Sequence, residues 1–305
     1  MYLQHFGLAH APFSNTPDTR FFYRHPGHEE ALNVLQLALR SGEGFIKIVG
    51  EVGTGKTLLC RKLLAGLGPA FATAYIPNPF LNPNTLRAAL ADELNVDAPR
   101  NLGQHRLLKL ITSRLMQLHR EGKRVVVIVD EAQAMPEESL EALRLLSNLE
   151  TERYKLLQLV LFGQPELDAR LARPGVRQLR QRITFGHRLS PLDRDGVGAY
   201  IRHRLVVAGR PRADLLAPEA VHAIYKGSGG IPRVVNVLTH KALMAAYGEG
   251  AGCVEPRHVR RAIADTEALD CPARLAGGRL VYGTLSLAAA AGASYAALLL
   301  WGSPP

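Results

Sequence analysis

The octapeptide Gly50-Glu51-Val52-Gly53-Thr54-Gly55-Lys56-Thr57 lies between the apolar run Phe45 to Val49 and the helix-favouring stretch Leu58 to Leu67. Strand, glycine loop and helix in that order make a phosphate cradle. The glycines let the backbone curl so that successive N–H groups point at the β- and γ-phosphates of a nucleotide. Lys56 adds a point charge there, and Thr57 offers a hydroxyl to Mg2+. Gly50 to Leu58 is therefore the expected nucleotide-binding element, with ATP and Mg2+ as cofactors.

A second, acidic element turns a binding loop into a hydrolase. Val125-Val126-Val127-Ile128-Val129 is an unbroken β-branched run, the pattern of a strand buried on both faces of a parallel sheet, and it ends in Asp130-Glu131. Alone, such an ending also suits a strand that runs out into a solvated acidic turn. About 75 residues after Lys56, it reads as the Asp that holds the phosphate-bridging Mg2+ and the Glu that orients and deprotonates the attacking water.

Composition excludes several other chemistries. Cys60, Cys253 and Cys271 are odd in number and at no metal or redox spacing, so they read as buried or reduced thiols. Eleven histidines show no HExxH or comparable ligand spacing, which leaves Mg2+ as the expected metal. The formal charge of +10 fits nucleic acid, an anionic membrane or only a basic proteome, and no single Lys/Arg block selects among them. Met1 to Phe13 has no long apolar core, so no signal peptide is expected.

Along the chain, strands are expected near 45–49, 72–76, 124–129, 156–162 and 183–187, with helices near 57–67, 84–95, 103–121, 138–149 and 165–181. That alternation makes an α/β layered domain over 1–190. After Pro191 the texture becomes helical, at 193–208, 218–226, 232–247 and 256–269, which reads as a separate helical domain over 191–270. From Leu280 to Trp301 the chain has 22 residues without a charge, enough to span about 30 Å of hydrocarbon as a helix. Arg274 and Arg279 precede it, and Tyr282 and Trp301 stand where interfacial aromatics are expected. The expectation is a transmembrane helix; an alanine-rich core helix is the alternative.

These residues carry a resemblance. The opening MYLQHFGLAHAPFSNTPDTRFFY, the loop GEVGTGKTLLCRKLL, the element VDEAQ, and the stretches LSNLETERYKLLQLVLFGQPEL and LRQRITF resemble the ExeA/MshM group of bacterial AAA+ ATPases. The group serves type II secretion and the mannose-sensitive haemagglutinin type IV pilus, and the likeness covers about residues 1–250. It is closest to the MshM-like branch, because ExeA-like members continue past their membrane segment into a peptidoglycan-binding region and this sequence stops four residues after Trp301.

The resemblance implies further roles. A polar residue ending the fourth core strand senses the γ-phosphate and water in AAA+ proteins. Here that strand ends in Gln164, a departure from the commoner Asn or Thr. An arginine just before the fifth strand reaches a neighbouring subunit's nucleotide. Arg182 matches, with Arg180 as runner-up, and a homo-oligomer follows. Gly229-Gly230-Ile231-Pro232-Arg233 resembles the lid sensor motif, which puts Arg233 over the phosphates.

Two functions fit. One is a membrane-anchored ATPase of the bacterial inner membrane, its catalytic domain cytoplasmic, that drives or regulates assembly of a pilus or secretion complex. The other is a DNA-handling AAA+ ATPase of the transposition-accessory or initiator type. Assembly is favoured and nucleic acid is not an expected partner, because no helix-turn-helix or winged appendage follows the lid and an anchor ill suits a diffusing DNA protein.

Overall fold

The computed structural model describes residues 2–16, 18–99, 102–149, 155–210 and 214–266. The chain divides into a compact unit, Met1–Ala262, and a second, Ile263–Pro305, of which the described residues reach only to 266. Among the described residues no helix is long and apolar enough to cross a membrane, and the expected span at 280–301 lies outside them.

In chain order the elements are α1 (Tyr2–His5), α2 (Pro26–Arg40), β1 (Phe45–Gly50), α3 (Lys56–Gly66), β2 (Phe71–Ile76), α4 (Pro83–Glu93), α5 (Gln104–Arg120), β3 (Arg124–Val129), α6 (Glu137–Leu146), β4 (Leu157–Gly163), α7 (Glu166–Leu171), α8 (Arg177–Arg182) and β5 (Ile183–Leu189). Then come α9 (Arg194–Val207), α10 (Pro218–Ser228), α11 (Pro232–Gly248) and α12 (Pro256–Ala264). The five strands form one parallel sheet in the order β2-β3-β4-β1-β5.

Strand alternation sends successive side chains to opposite faces, and both faces are covered. Val125, Val127, Val129, Leu157, Leu159 and Leu161 join the core on the face of α4, α5 and α6. Val126, Ile128, Val160 and Phe162 point the other way, into the core built with Leu35 and Leu39 of α2 and Leu59 and Leu63 of α3. Each such side chain fully withdrawn from water contributes about 1.5–3 kcal/mol, which is why β3 and β4 read as continuous apolar runs. β5 is an edge strand, and most of its residues stay partly exposed.

The expected strands fall within a residue or two of those observed, but two helical regions differ. A single helix over 165–181 is replaced by α7, a short 3-10 turn at Pro174–Val176, and α8. Pro174 cannot donate to the preceding turn and forces Arg173 into extended backbone (ψ 147°), so the helix stops and restarts. Helix α2 lies ahead of the alternation read from the sequence; Pro26 stands in its first turn and His25 caps it.

The helices after residue 190 form a lid whose sole β feature among the described residues is an isolated bridge, Leu216 with Val254. Residues 2–14 lie against this lid. The Tyr2 hydroxyl is 3.1 Å from His240 Nδ1, and the Ala9 N–H donates to the Ala208 carbonyl at 2.8 Å.

Candidate active site

A parallel sheet delivers the C-terminal ends of all its strands to one edge, and here that edge collects the chemistry. The loop after β1 wraps over the start of α3, with Gly53 and Gly55 at φ +82° and +99°, the left-handed region that side chains rarely adopt. The Lys56 side chain, 4% exposed, folds back so that Nζ donates to the Gly50 and Glu51 carbonyls at 2.8 and 2.9 Å. Burial pushes its pKa down, opposed by the nearby Glu131 and Asp130. A buried ammonium held by neutral carbonyls, beside a loop of turned-in backbone, is a site for an anion.

At the end of β3, Asp130 is 3% exposed. Burial pushes its pKa up, while hydrogen bonds from the Thr57 hydroxyl and the Glu131 N–H pull it down. Tyr75 of β2 also hydrogen-bonds Asp130 and is itself pushed up to about 12, chiefly by burial. Thr57 and Asp130 thus face one another as two hard oxygen donors, the donor type that Mg2+ takes when phosphates complete its shell.

Glu131 departs from ordinary backbone, with φ +52° and ψ +37°. For a non-glycine residue this costs about 1 kcal/mol or more, and it turns the carboxylate back along the sheet edge. There Oε2 accepts from Gln133 Nε2 at 2.6 Å and Gln164 Nε2 at 3.1 Å. Gln133 Oε1 also accepts the backbone N–H of Gln164 at 2.9 Å, so the Gln133 side chain is fixed to the end of β4 while both side-chain amides hold the acid. Gln164 thus meets the Glu131 carboxylate from the end of the neighbouring strand.

The lid closes the far side. Gly229 ends α10 in left-handed conformation, and Gly230, at φ +76°, allows the Leu192 carbonyl to approach where a Cβ would meet it at 1.9 Å. This turn presents Ile231-Pro232-Arg233 to the phosphate loop, and the Arg233 N–H donates to the Gly53 carbonyl at 3.2 Å. Together they enclose a cavity of about 310 Å3 whose wall includes Val52 to Leu58, Glu131 and Arg233. Arg182 is exposed, is no part of that wall, and donates to Ser147 Oγ at 2.9 Å; Arg180 is exposed as well.

The same cavity recruits residues that motif reading does not reach: Tyr23, His28, Tyr200, Arg204 and Asn236. His28, 7% exposed, lies 2.8 Å through Nε2 from the Thr54 carbonyl, while its Nδ1 is buried without a partner. Tyr23 ends the opening stretch that resembles the family, but no chemical motif marks any of the five, because they converge from an N-terminal segment and two lid helices. Gln133 lies inside the stretch VDEAQ but has no role until the turn at Glu131 is seen.

Residues 39–171 match the family model described as AAA domain. Over 251 residues the chain is 45% identical to general secretion pathway protein A of Aeromonas hydrophila, covering 82% of this chain and 46% of that protein. The chain carries an AAA domain and is similar to ExeA-type AAA proteins over most of its length. It spans less than half the length of that relative.

The AAA fold recurs in solved structures at low identity. Cdc6p from Pyrobaculum aerophilum superposes with a TM-score of 0.64 at 22% identity, covering 82% of this chain and 69% of that one. Aeropyrum pernix ORC2, solved as ADPNP-ADP complexes, gives 0.60 at 19% identity over 83% and 72%. Thermotoga maritima RuvB, a Holliday junction branch migration motor, gives 0.52 at 18% over 79% and 68%.

Gly53 joins two constraints in this AAA domain, since a Cβ there would come 2.6 Å from Arg233 Cβ on top of the positive φ. Gly53→Ala is expected to cost about 1–3 kcal/mol of stability and to weaken nucleotide binding about tenfold or more. Thermal unfolding and titration with a fluorescent ATP analogue measure the two effects.

Proposed function

We propose that this chain is an ATP-hydrolysing AAA+ ATPase, anchored in the bacterial inner membrane with its catalytic domain in the cytoplasm, that drives or regulates assembly of a type IV pilus or type II secretion complex. The catalytic part rests on one observation, the convergence of Lys56, Thr57, Asp130 and Glu131 at the end of the sheet. ATP would lie with its triphosphate along Gly53 to Thr57, Lys56 at the β- and γ-phosphates, and Arg233 above them. Thr57 and Asp130 would hold Mg2+, whose charge when bound offsets that developing on the phosphate oxygens.

Glu131 is the base. The amides of Gln133 and Gln164 hold its Oε2 and orient the carboxylate, and the proposal gives Oε1 to the water that attacks the γ-phosphate in line. Arg182, exposed and away from its own cavity, would enter a neighbouring copy's site in a homo-oligomer. Likeness to general secretion pathway protein A supports the secretion reading, and the family motifs support the pilus reading. The DNA-handling alternative has support from fold alone, since the Cdc6p, ORC2 and RuvB structures share less than 25% identity with this chain.

The anchor is the uncharged run Leu280 to Trp301, with Arg274 and Arg279 keeping the ATPase side cytoplasmic. The full chain is expected to sediment with membranes, to resist alkaline carbonate, and to hydrolyse ATP with Mg2+; a chain cut after Ala276 is expected to be soluble and to keep hydrolysis. A cut chain that aggregates while the full chain stays soluble overturns the anchor, and a soluble cut chain without hydrolysis overturns the ATPase.

A further inference from the structure

Phosphate-binding residues claim one end of the cavity, through Gly53 to Thr57 and Glu131. The other end is walled by an N-terminal segment, including Ser14 to Thr16, and by Tyr200, Arg204 and Asn236 of the lid. These walls come from chain roughly 190 residues apart, so a tie between them is needed for the wall to hold its shape.

Arg204 is that tie. It is 6% exposed. Its Nε donates to the Pro12 carbonyl, and Nη2 to the Ser14 carbonyl at 3.4 Å. On the lid side Nη1 donates to the Tyr200 hydroxyl at 2.7 Å and to Asn236 Oδ1 at 3.3 Å, and the Tyr200 hydroxyl donates to the same Oδ1 at 3.0 Å. The guanidinium carbon lies 4.8 Å from the Phe21 ring centre, 5.6 Å from Tyr200 and 6.0 Å from Phe13. These hydrogen-bond acceptors are all neutral. A buried cation is tolerated here because aromatic faces and oriented dipoles surround it, and because a planar fork can bond in two directions at once.

We propose that Arg204 is a positioning residue for the nucleoside end of the bound nucleotide, holding residues 12–16 against α9 and α11 as the wall that receives base and ribose. The proposal rests on the nucleotide-binding reading above. Its signature is selectivity: loosening this wall weakens ligands that carry a nucleoside and spares those that are phosphate alone.

The test titrates the full chain with ADP and, separately, with inorganic tripolyphosphate, by calorimetry. Arg204→Ala is expected to weaken ADP at least about tenfold while changing tripolyphosphate less than about twofold, since several buried acceptors lose their donor far from the phosphates. Arg204→Lys keeps the charge but cannot reach both sides, and is expected to resemble Arg204→Ala. Tyr200→Phe keeps the ring and removes one relay hydroxyl, with an expected loss of about threefold for ADP alone; it decides the question if Arg204→Ala fails to fold. Equal losses for both ligands, or wild-type ADP affinity in Arg204→Ala and Tyr200→Phe, overturn the proposal. A wild-type chain that binds neither ligand overturns the nucleotide reading itself.

Discussion

Lys56→Ala is expected to lose nucleotide binding, whereas Glu131→Gln is expected to bind ATP as the wild type does and to lose turnover. The two differ because Lys56 meets phosphate in both ground and transition states, while Glu131 acts on water only as the bond breaks. The Lys56 ammonium is already desolvated and held toward the loop by the Gly50 and Glu51 carbonyls, so its removal takes away a pre-placed charge. Glu131→Gln preserves shape and hydrogen-bonding capacity beside Gln133 and Gln164 but cannot take a proton; a loss of about 10^2- to 10^4-fold in kcat is expected. Binding titrations and steady-state phosphate release separate the variants. Wild-type hydrolysis by Glu131→Gln removes Glu131 from the role of base.

Arg182→Ala is expected to bind ATP normally and to lose on the order of 10^3-fold in kcat, the scale of an arginine that stabilises the transferring phosphoryl group in trans. The structure supplies the reason to look in trans: Arg182 bonds Ser147 on its own chain and stands apart from the wall of its own cavity. Mixing Arg182→Ala with Lys56→Ala is expected to restore activity, since a mixed interface pairs an intact phosphate loop with an intact arginine. Steady-state rates of the mixture, under conditions where the two co-assemble, measure this. Rates that merely average two inactive proteins count against Arg182, and the same experiment with Arg180→Ala tests the neighbouring arginine.

The lid shows how local signals and long-range packing divide the work. Its helices were legible as helical segments after Pro191, and Gly229 to Arg233 was legible as a stretch resembling the lid sensor motif. That this turn delivers Arg233 to Gly53 depends on an approach across about 180 residues of chain, for which no local spacing codes. The break at Pro174 was visible as a residue, but the helical pattern on either side concealed it; the restriction on Arg173 prevailed over periodicity.

By itself the sequence determined the sheet strands and the phosphate chemistry, because both are encoded over short spans: short apolar runs for the strands, and one octapeptide and one acidic strand end for the site. Only the tertiary structure decided what faces those groups. Gln164 reaches Glu131, and its N–H reaches Gln133, because β3 and β4 are neighbours in the sheet. Tyr75 reaches Asp130 because β2 adjoins β3. The wall opposite the phosphates exists because Arg204 joins an N-terminal segment to two lid helices, and such partners are chosen by chain topology and packing, which residue spacing does not record.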